Sequence, residues 1–237
     1  MKSLLPYKKY KYRAVELYFF IKRIINYEIN LLYLIREIME SFDYFPENIN
    51  ILIVDKKYKN YDNIVIPPTV FVIGPNVFNE CHKLKKINIP DSIENIGNGA
   101  FSRCSNLKEI VIPSSVREIG YRTFYMCQNL EKFYIKEKNL LTFLNYSKGL
   151  KTIEYEAFAN CSNLKYFILS KSVENISFRA FANCSNLKYI NTTNIKNIDN
   201  YAFNNCKSLN SILLKKNITL GYHSLPDSVK INYLNIF

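Results

Sequence analysis

The sequence predicts a repeat solenoid, in which short parallel β-strands from successive units stack on one another. Three observations predict it: a fixed period, the same residues around each period mark, and one alternating apolar segment per unit. The period marks are six cysteines at separations of 23, 23, 34, 23 and 22 residues: Cys81, Cys104, Cys127, Cys161, Cys184 and Cys206. A unit of this size cannot close a core alone, whereas stacked units can.

Within each unit, one segment is predicted to form the strand. Residues Leu107–Ile112 have the form Leu-x-x-Ile-x-Ile, whose alternating apolar side chains suit a strand with one buried face. Pro and Gly residues mark the turns. The recurring Ala-Phe-x-x-Cys text, as in Ala100–Cys104, predicts a compact turn that points an aromatic ring inward.

The most complete unit, Ile89–Ile112, reads Ile-Pro-x-Ser-Ile-x-x-Ile-Gly-x-x-Ala-Phe-x-x-Cys-x-Asn-Leu-x-x-Ile-x-Ile. This text resembles the BspA-like class of leucine-rich repeats, and the resemblance extends over Ile64–Leu214. It implies a right-handed parallel solenoid with short or helical turns between the strands. Members of that class are known mostly as interaction and adhesion proteins, often at cell surfaces, so the resemblance implies binding without naming a ligand.

The chain divides into three predicted parts. Residues 1–60 are an N-terminal α-helical cap, because apolar residues recur at three- and four-residue steps between Tyr12 and Phe42 without Pro or Gly. Residues 61–214 are six repeats, with an insertion at 136–148 that accounts for the long cysteine spacing. Residues 215–237, where the pattern fades, are a degenerate C-terminal cap.

Two of these parts have alternative interpretations. The N-terminal helix could bind a partner or lie on a membrane surface instead of covering the first strand of the solenoid. The insertion could be a tolerated surface loop. Its apolar residues, such as Leu140 and Phe143, could instead fold back on the solenoid or meet a partner.

No catalytic, cofactor or metal site is predicted. The six cysteines are too far apart for a C-x-x-C zinc site, and only His82 and His223 could assist them. A column of identical cysteines is better explained as small buried packing groups. Cys81 and His82 are sequence neighbours, which rarely present their side chains to each other. With six glycines in all, the chain has no Gly-rich phosphate loop.

The charge and hydropathy of the chain bear on its location and partners. The net charge of +12 is dispersed, which favours solubility and gives only a hint of an anionic partner. No window offers the ~18 uninterrupted apolar residues of a membrane span, so none is predicted. Free thiols favour a reducing compartment, and we therefore expect a cytoplasmic protein. A secreted or cell-surface location is the alternative that the family resemblance implies.

The predicted binding surface is the face formed by the parallel strands, where the side chains on either side of the central apolar residue point outward. Reading these positions along the stack gives a candidate partner-binding set: Lys86, Lys132, Tyr134, Tyr166, Ile168 and Tyr189. The tyrosines and Ile168 form the expected contact centre, flanked by the two lysines. Tyrosine as an ordinary strand former on a solvated sheet is the alternative interpretation.

These observations favour a non-catalytic module that binds a protein partner. A secreted or surface adhesin is the first alternative. A nucleic-acid-binding protein is the second, because Tyr and Lys alternate in the segment Tyr7–Arg13 and again on the strand face. A further column of mostly basic residues precedes the strands and predicts a solvated edge: Lys85, Lys108, Glu131, Lys165, Lys188 and Asn210.

Overall fold

The computed structural model of the chain describes residues 51–52, 56–136 and 149–234. The α-helix predicted between Tyr12 and Phe42, and the inserted residues 137–148, lie outside the described residues. Of the predicted N-terminal cap, the structure describes a two-residue strand, β1 (Ile51–Leu52), and a 3₁₀ helix (Lys56–Asn60).

The segments predicted as strands stack in the order of the chain, in three hydrogen-bonded parallel sheets that lie side by side. We number the strands in chain order across the whole molecule. This long-strand ladder comprises β2 (Asn63–Val65), β4 (Lys86–Asn88), β6 (Glu109–Pro113), β8 (Lys132–Lys136), β10 (Tyr166–Ile168), β12 (Tyr189–Ile190), β14 (Ser211–Leu214) and β16 (Lys230–Tyr233). Strands β4 and β6 lie side by side, as do β12 and β14. The predicted parallel solenoid is confirmed.

A second parallel ladder, which the sequence did not predict, is built from strands of two residues. Its strands form two four-stranded sheets, one before and one after the insertion. The first contains β1, β3 (Val72–Ile73), β5 (Asn95–Ile96) and β7 (Glu118–Ile119), and the second contains β9 (Thr152–Ile153), β11 (Asn175–Ile176), β13 (Asn197–Ile198) and β15 (Thr219–Leu220). Each repeat therefore contributes one strand to each ladder. The core lies between the two ladders, since both turn apolar side chains inward.

A column of phenylalanine rings fills the core beside the ladders. One ring per repeat is fully buried, and neighbouring ring centroids lie 5.1–5.4 Å apart. The members are Phe78, Phe101, Phe124, Phe158, Phe181 and Phe203. The predicted inward turn of the Ala-Phe-x-x-Cys text is thus confirmed.

The six cysteines are free and buried, as the packing interpretation predicts. From the second unit on, each thiol also donates a hydrogen bond to the backbone carbonyl of the phenylalanine one repeat earlier. Cys127 Sγ, for example, lies 3.1 Å from Phe101 O. Burial raises the pKa of Cys127 and of Cys206 to about 12, and that of Cys81 to about 11.

Asparagine side chains join the repeats at the surface. The residue before the repeat cysteine has a positive φ in every unit, and in the last three units it is asparagine. Asn183 Nδ2 donates to Asn160 Oδ1 at 3.0 Å, and Asn205 Nδ2 donates to Asn183 Oδ1 at 2.9 Å. Each amide therefore links one repeat to the one before it.

The repeats on either side of the insertion keep the ordinary spacing. Strands β8 and β10 pair in register, and the rings of Phe124 and Phe158 lie 5.1 Å apart. Cys161 Sγ donates to Phe124 O at 3.1 Å, as in repeats that have no insertion. The extra residues thus enter between β8 and β9 without interrupting either the core or the long-strand ladder.

Both ladders extend past the boundaries expected for the repeats. Strand β1 pairs with β3, although residues 51–52 belong to the predicted N-terminal cap. Strand β16 pairs with β14, and β15 with β13, although both lie in the predicted C-terminal cap. The last repeat is less well covered, because Leu220 is 37% exposed where the matching isoleucines of earlier repeats are buried.

Candidate partner-binding face

The candidate surface is the outward side of β6, β8, β10 and β12, which form one continuous sheet. We call it the strand face. The central side chain of each strand is buried, so its two neighbours must point outward. The register joins these neighbours into two rows. The first row contains Glu109, Lys132, Tyr166 and Tyr189, and the second contains Val111, Tyr134 and Ile168.

Exposed aromatic and aliphatic side chains meet at the centre of the strand face. Tyr166 is 48% exposed, Ile168 is 49% exposed and Tyr189 is 53% exposed, whereas Tyr134 is half-buried. Val111, which the sequence prediction left out, is 41% exposed and is the direct neighbour of Tyr134 across the sheet. The structure therefore brings the four predicted apolar residues together and adds Val111.

The two predicted lysines occupy different places. Lys132 lies in the first row, directly between Glu109 and Tyr166, so it belongs to the centre of the strand face. Lys86 lies on β4, which pairs with β2 and lies beside β6. The strand β6 therefore separates Lys86 from Lys132, and the two lysines do not border the tyrosines symmetrically.

The basic column that precedes the strands runs along one edge of the strand face. Glu131 Oε2 lies 3.1 Å from Lys165 Nζ. That hydrogen bond, the charge of Lys165 and the charges of Lys108 and Lys132 hold the pKa of Glu131 below its usual value. Several lysines therefore act on one carboxylate at the start of β8.

A second aromatic row, exposed except at the half-buried Phe178, lies outside the strand face, where the chain leaves the short strands. Its members are Tyr121, Tyr155, Phe178 and Tyr222, each two residues after the last residue of a short strand. The sequence reasoning missed this row because it compared outward positions only along the long strands. Comparing every position of the repeat would have found it.

The two central rings of this second row, Tyr155 and Phe178, already have partners. Tyr155 and Phe178 stack with their centroids 5.8 Å apart. The Arg122 guanidinium lies 5.5 Å from the Tyr155 ring, and that of Arg179 lies 5.0 Å from the Phe178 ring. Both arginines also pair with the nearly buried Glu156 carboxylate, at 2.7 and 3.9 Å. Because guanidinium groups cover Tyr155 and Phe178, these two rings stabilise the turns, and the strand face is the better candidate for a partner.

Within the described residues, the groups that would serve metal binding lie apart. In residues 51–52, 56–136 and 149–234, no three His, Cys, Asp or Glu side chains converge as metal ligands. Cys81 is buried, whereas His82 is exposed and its Nδ1 lies 3.2 Å from the Ser105 hydroxyl. Cys81 and His82 therefore form no catalytic pair. An open cleft of about 410 Å³ near the last repeat is lined by Tyr201, His223 and others.

Among the described residues, no helix is long and apolar enough to cross a membrane.

The repeats match a known family model. The model of the BspA type leucine rich repeat region fits in six copies, over residues 56–147 and 137–237. The chain belongs to the BspA-type leucine-rich-repeat family. The resemblance that the repeat text indicated is therefore confirmed. Leucine-rich-repeat proteins of this kind are typically interaction or surface proteins, and their solenoids are typically not enzymes.

Solved structures of other leucine-rich-repeat proteins resemble this one. A protein from Eubacterium ventriosum is 28% identical with a TM-score of 0.64, over 80% of this chain and 48% of its own. A protein from T. pallidum is 25% identical with a TM-score of 0.57, over 70% of this chain and 78% of its own. The pneumococcal vaccine antigen PcpA shares the fold at 23% identity, with a TM-score of 0.53, over 78% of this chain and 54% of its own.

The BspA-type chain spans about half the length of the Eubacterium ventriosum protein. No curated protein matches it significantly.

Proposed function

We propose that this chain is a non-catalytic interaction module that binds a protein partner through the strand face. The observation that carries the proposal is the cluster of Tyr134, Tyr166, Ile168 and Tyr189 with Val111 at the centre of a four-stranded sheet. Tyrosines are enriched among the residues that dominate the binding energy of protein interfaces. The parallel ladder holds these side chains on a rigid backbone, so little conformational entropy is lost when a partner binds.

The chemistry of the strand face supports binding rather than catalysis. Its side chains are tyrosine, aliphatic residues, lysine and glutamate, without a nucleophile beside a base. The exposed apolar side chains form one group instead of being scattered singly, which is typical of an interaction site.

Site-specific photo-crosslinking tests the proposal. A benzophenone amino acid is placed at position 166 or 189 of the strand face and, as a matched control, at position 121 or 222 of the second aromatic row. All four positions hold exposed tyrosines. We expect a protein adduct in native lysate from the strand-face positions alone. Adducts that form equally well from positions 121 and 222 would contradict the assignment.

A variant with Tyr134→Ala, Tyr166→Ala and Tyr189→Ala provides the second arm of this test. These side chains are exposed or half-buried, so the variant should stay folded, which circular dichroism checks. We expect it to lose the adduct formed through a crosslinker at position 168. If the same adduct forms at the same yield, these tyrosines do not carry the interaction.

A further inference from the structure

The strand face and its edge carry a surplus of positive charge. From the start of β2 to β12, these positions hold three carboxylates, Asp62, Glu109 and Glu131. They also hold six lysines: Lys85, Lys86, Lys108, Lys132, Lys165 and Lys188. These charged positions lie on and beside the exposed apolar cluster described above.

Most of the acidic groups are already neutralised by a neighbour. Asp62 pairs with Lys85 at 3.6 Å, and Glu131 pairs with Lys165 at 3.1 Å. Among the described residues, the other four lysines of this group have no carboxylate within 4.0 Å. Lys132 and Lys188 are the ones nearest to the tyrosines, since Lys132 shares a row with Tyr166 and Lys188 precedes Tyr189. Their charges are therefore available to a partner.

We infer that the partner presents an acidic protein segment in which carboxylates alternate with apolar side chains. The apolar side chains would cover Val111, Ile168 and the tyrosines, while the carboxylates would pair with Lys132, Lys188 and their unpaired neighbours. Complementary charge of this kind accelerates association and selects among partners. The inference rests on the proposed function, because it specifies the partner of the same face.

Two other occupants fit the strand face less well. A second copy of this chain, with its net charge of +12, would bring positive charge against positive charge. A single-stranded nucleic acid would place phosphates beside Glu109 and bases over aliphatic Val111 and Ile168, which offer no aromatic stacking. The arginines in the described part of the chain all lie outside the strand face: Arg103, Arg117, Arg122 and Arg179.

Fluorescence anisotropy with designed probes tests the inference. The acidic probe is a labelled peptide of about 12 residues in which Glu or Asp alternates with Leu or Phe, long enough to cross four strands about 4.8 Å apart. Matched probes replace each acid by Gln or by Lys, and an oligothymidylate represents nucleic acid. We expect the acidic probe to bind about tenfold more tightly than the Gln probe and to weaken as salt is raised. The Lys probe should bind least.

Charge reversal locates the effect on the strand face. The double variant Lys132→Glu, Lys188→Glu should prefer the Lys probe over the acidic probe. The control variant Lys207→Glu, Lys216→Glu has the same net charge, changes two exposed lysines outside the strand face, and should keep the wild-type preference. If the strand-face variant keeps its preference for the acidic probe, or if both double variants lose it equally, the inference is wrong.

The outcomes separate this inference from the proposed function. Equal binding of all three peptides, weakened by Tyr166→Ala with Tyr189→Ala, would overturn the acidic partner but leave the strand face as a protein-binding surface. Peptide binding that these two substitutions do not change would count against the strand face itself. Tighter binding of oligothymidylate than of the acidic peptide, or no binding of any peptide, would overturn the inference.

Discussion

The repeat cysteine does more in this fold than fill space. Its position in every unit predicts a buried packing group, and the structure confirms that burial. The sequence could not show that the thiol also donates to the phenylalanine carbonyl of the preceding repeat, as Cys184 Sγ does to Phe158 O at 3.2 Å. That hydrogen bond depends on the distance between two stacked units, and the sequence of a single repeat does not determine this distance.

The buried thiols predict that the protein loses stability at alkaline pH. Above the ordinary thiol pKa of 9.0, an unfolded chain gives up these protons, whereas folded Cys127 and Cys206 keep theirs until about pH 12. The unfolded state then binds fewer protons than the folded state, so the free energy of unfolding falls as the pH rises from about 9. The expected slope is about 1.4 kcal/mol per pH unit for each thiol.

Urea unfolding under reducing conditions, between about pH 8 and pH 10.5, measures this slope. The matched control is Cys127→Ala, which removes one titrating thiol. Its stability should be lower at neutral pH, by about 1–2 kcal/mol, but should decline less steeply. Parallel slopes for the wild type and Cys127→Ala would refute the assignment to the thiols.

The residue before the repeat cysteine offers a stabilising substitution. Met126 has a φ of 58°, close to the 63° of Asn160 and the 61° of Asn183 at the matching positions. Asparagine tolerates this left-handed conformation better than methionine does. Met126→Asn also places an amide one repeat before Asn160, in line with the existing asparagine bonds. We expect about 0.5–1 kcal/mol of added stability.

Chemical denaturation of Met126→Asn beside Met126→Gln checks that prediction. Glutamine is polar but has no preference for the left-handed conformation, so its stability should stay near that of the wild type. If both variants gain equally, polarity at a half-exposed position explains the effect, and the backbone conformation does not.

The two ladders show which elements a sequence can reveal. The long strands alternate around a buried residue such as Ile110 or Phe167, and that alternation predicted them correctly. The short strands have two residues each, for example Asn95–Ile96, so no alternation can be recognised. They exist because the neighbouring repeat places its own short strand in register and supplies the hydrogen-bond partners. The short strands therefore depend on the stacking of repeats.

Gly97, directly after the short strand β5, lies against the backbone of the preceding repeat. A Cβ on Gly97 would lie 2.6 Å from Pro75 N and 2.8 Å from Gly74 C, both backbone atoms of the preceding repeat. Gly97→Ala should therefore push two repeats apart and lower the free energy of unfolding by about 2 kcal/mol. The matching residue after β11 is Ser177, where a side chain is already accommodated.

Ser177→Ala is the matched control, and urea unfolding should find its stability within about 0.5 kcal/mol of the wild type. A similarly small change in Gly97→Ala would mean that the repeats separate easily there. The close approach would then have no role in keeping the short-strand ladder in register.

At the scale of the whole molecule, the sequence predicted which side chains share one face, but it did not predict how those side chains interact there. Repeat positions placed Tyr134, Tyr166, Ile168 and Tyr189 on one surface, because a solenoid turns equal positions in the same direction. The central place of Lys132 and the pairing of Glu131 with Lys165 depend on register and side-chain reach. The order of residues along the chain does not show these side-chain contacts.

The insertion allows a test of whether the stability of the stacked repeats depends on the length of the loop that connects them. Deleting residues 138–148 leaves four residues between β8 and β9, as between β6 and β7. Because β8 and β10 already pair in register, the deletion should leave the fold intact. A shorter loop also costs less entropy to close, which predicts a gain of up to about 1 kcal/mol.

Urea unfolding of the deletion variant is compared with a second variant, in which a Gly-Ser sequence of equal length replaces residues 138–148. If loop length alone matters, the Gly-Ser variant should match the wild type and the deletion should be slightly more stable. If both variants are destabilised by more than about 2 kcal/mol, the apolar side chains of the insertion must contribute to the folded state. Anisotropy with the acidic probe on both variants then separates stability from binding. A probe affinity that falls in a fully stable deletion variant would place the insertion at the partner contact rather than in the fold.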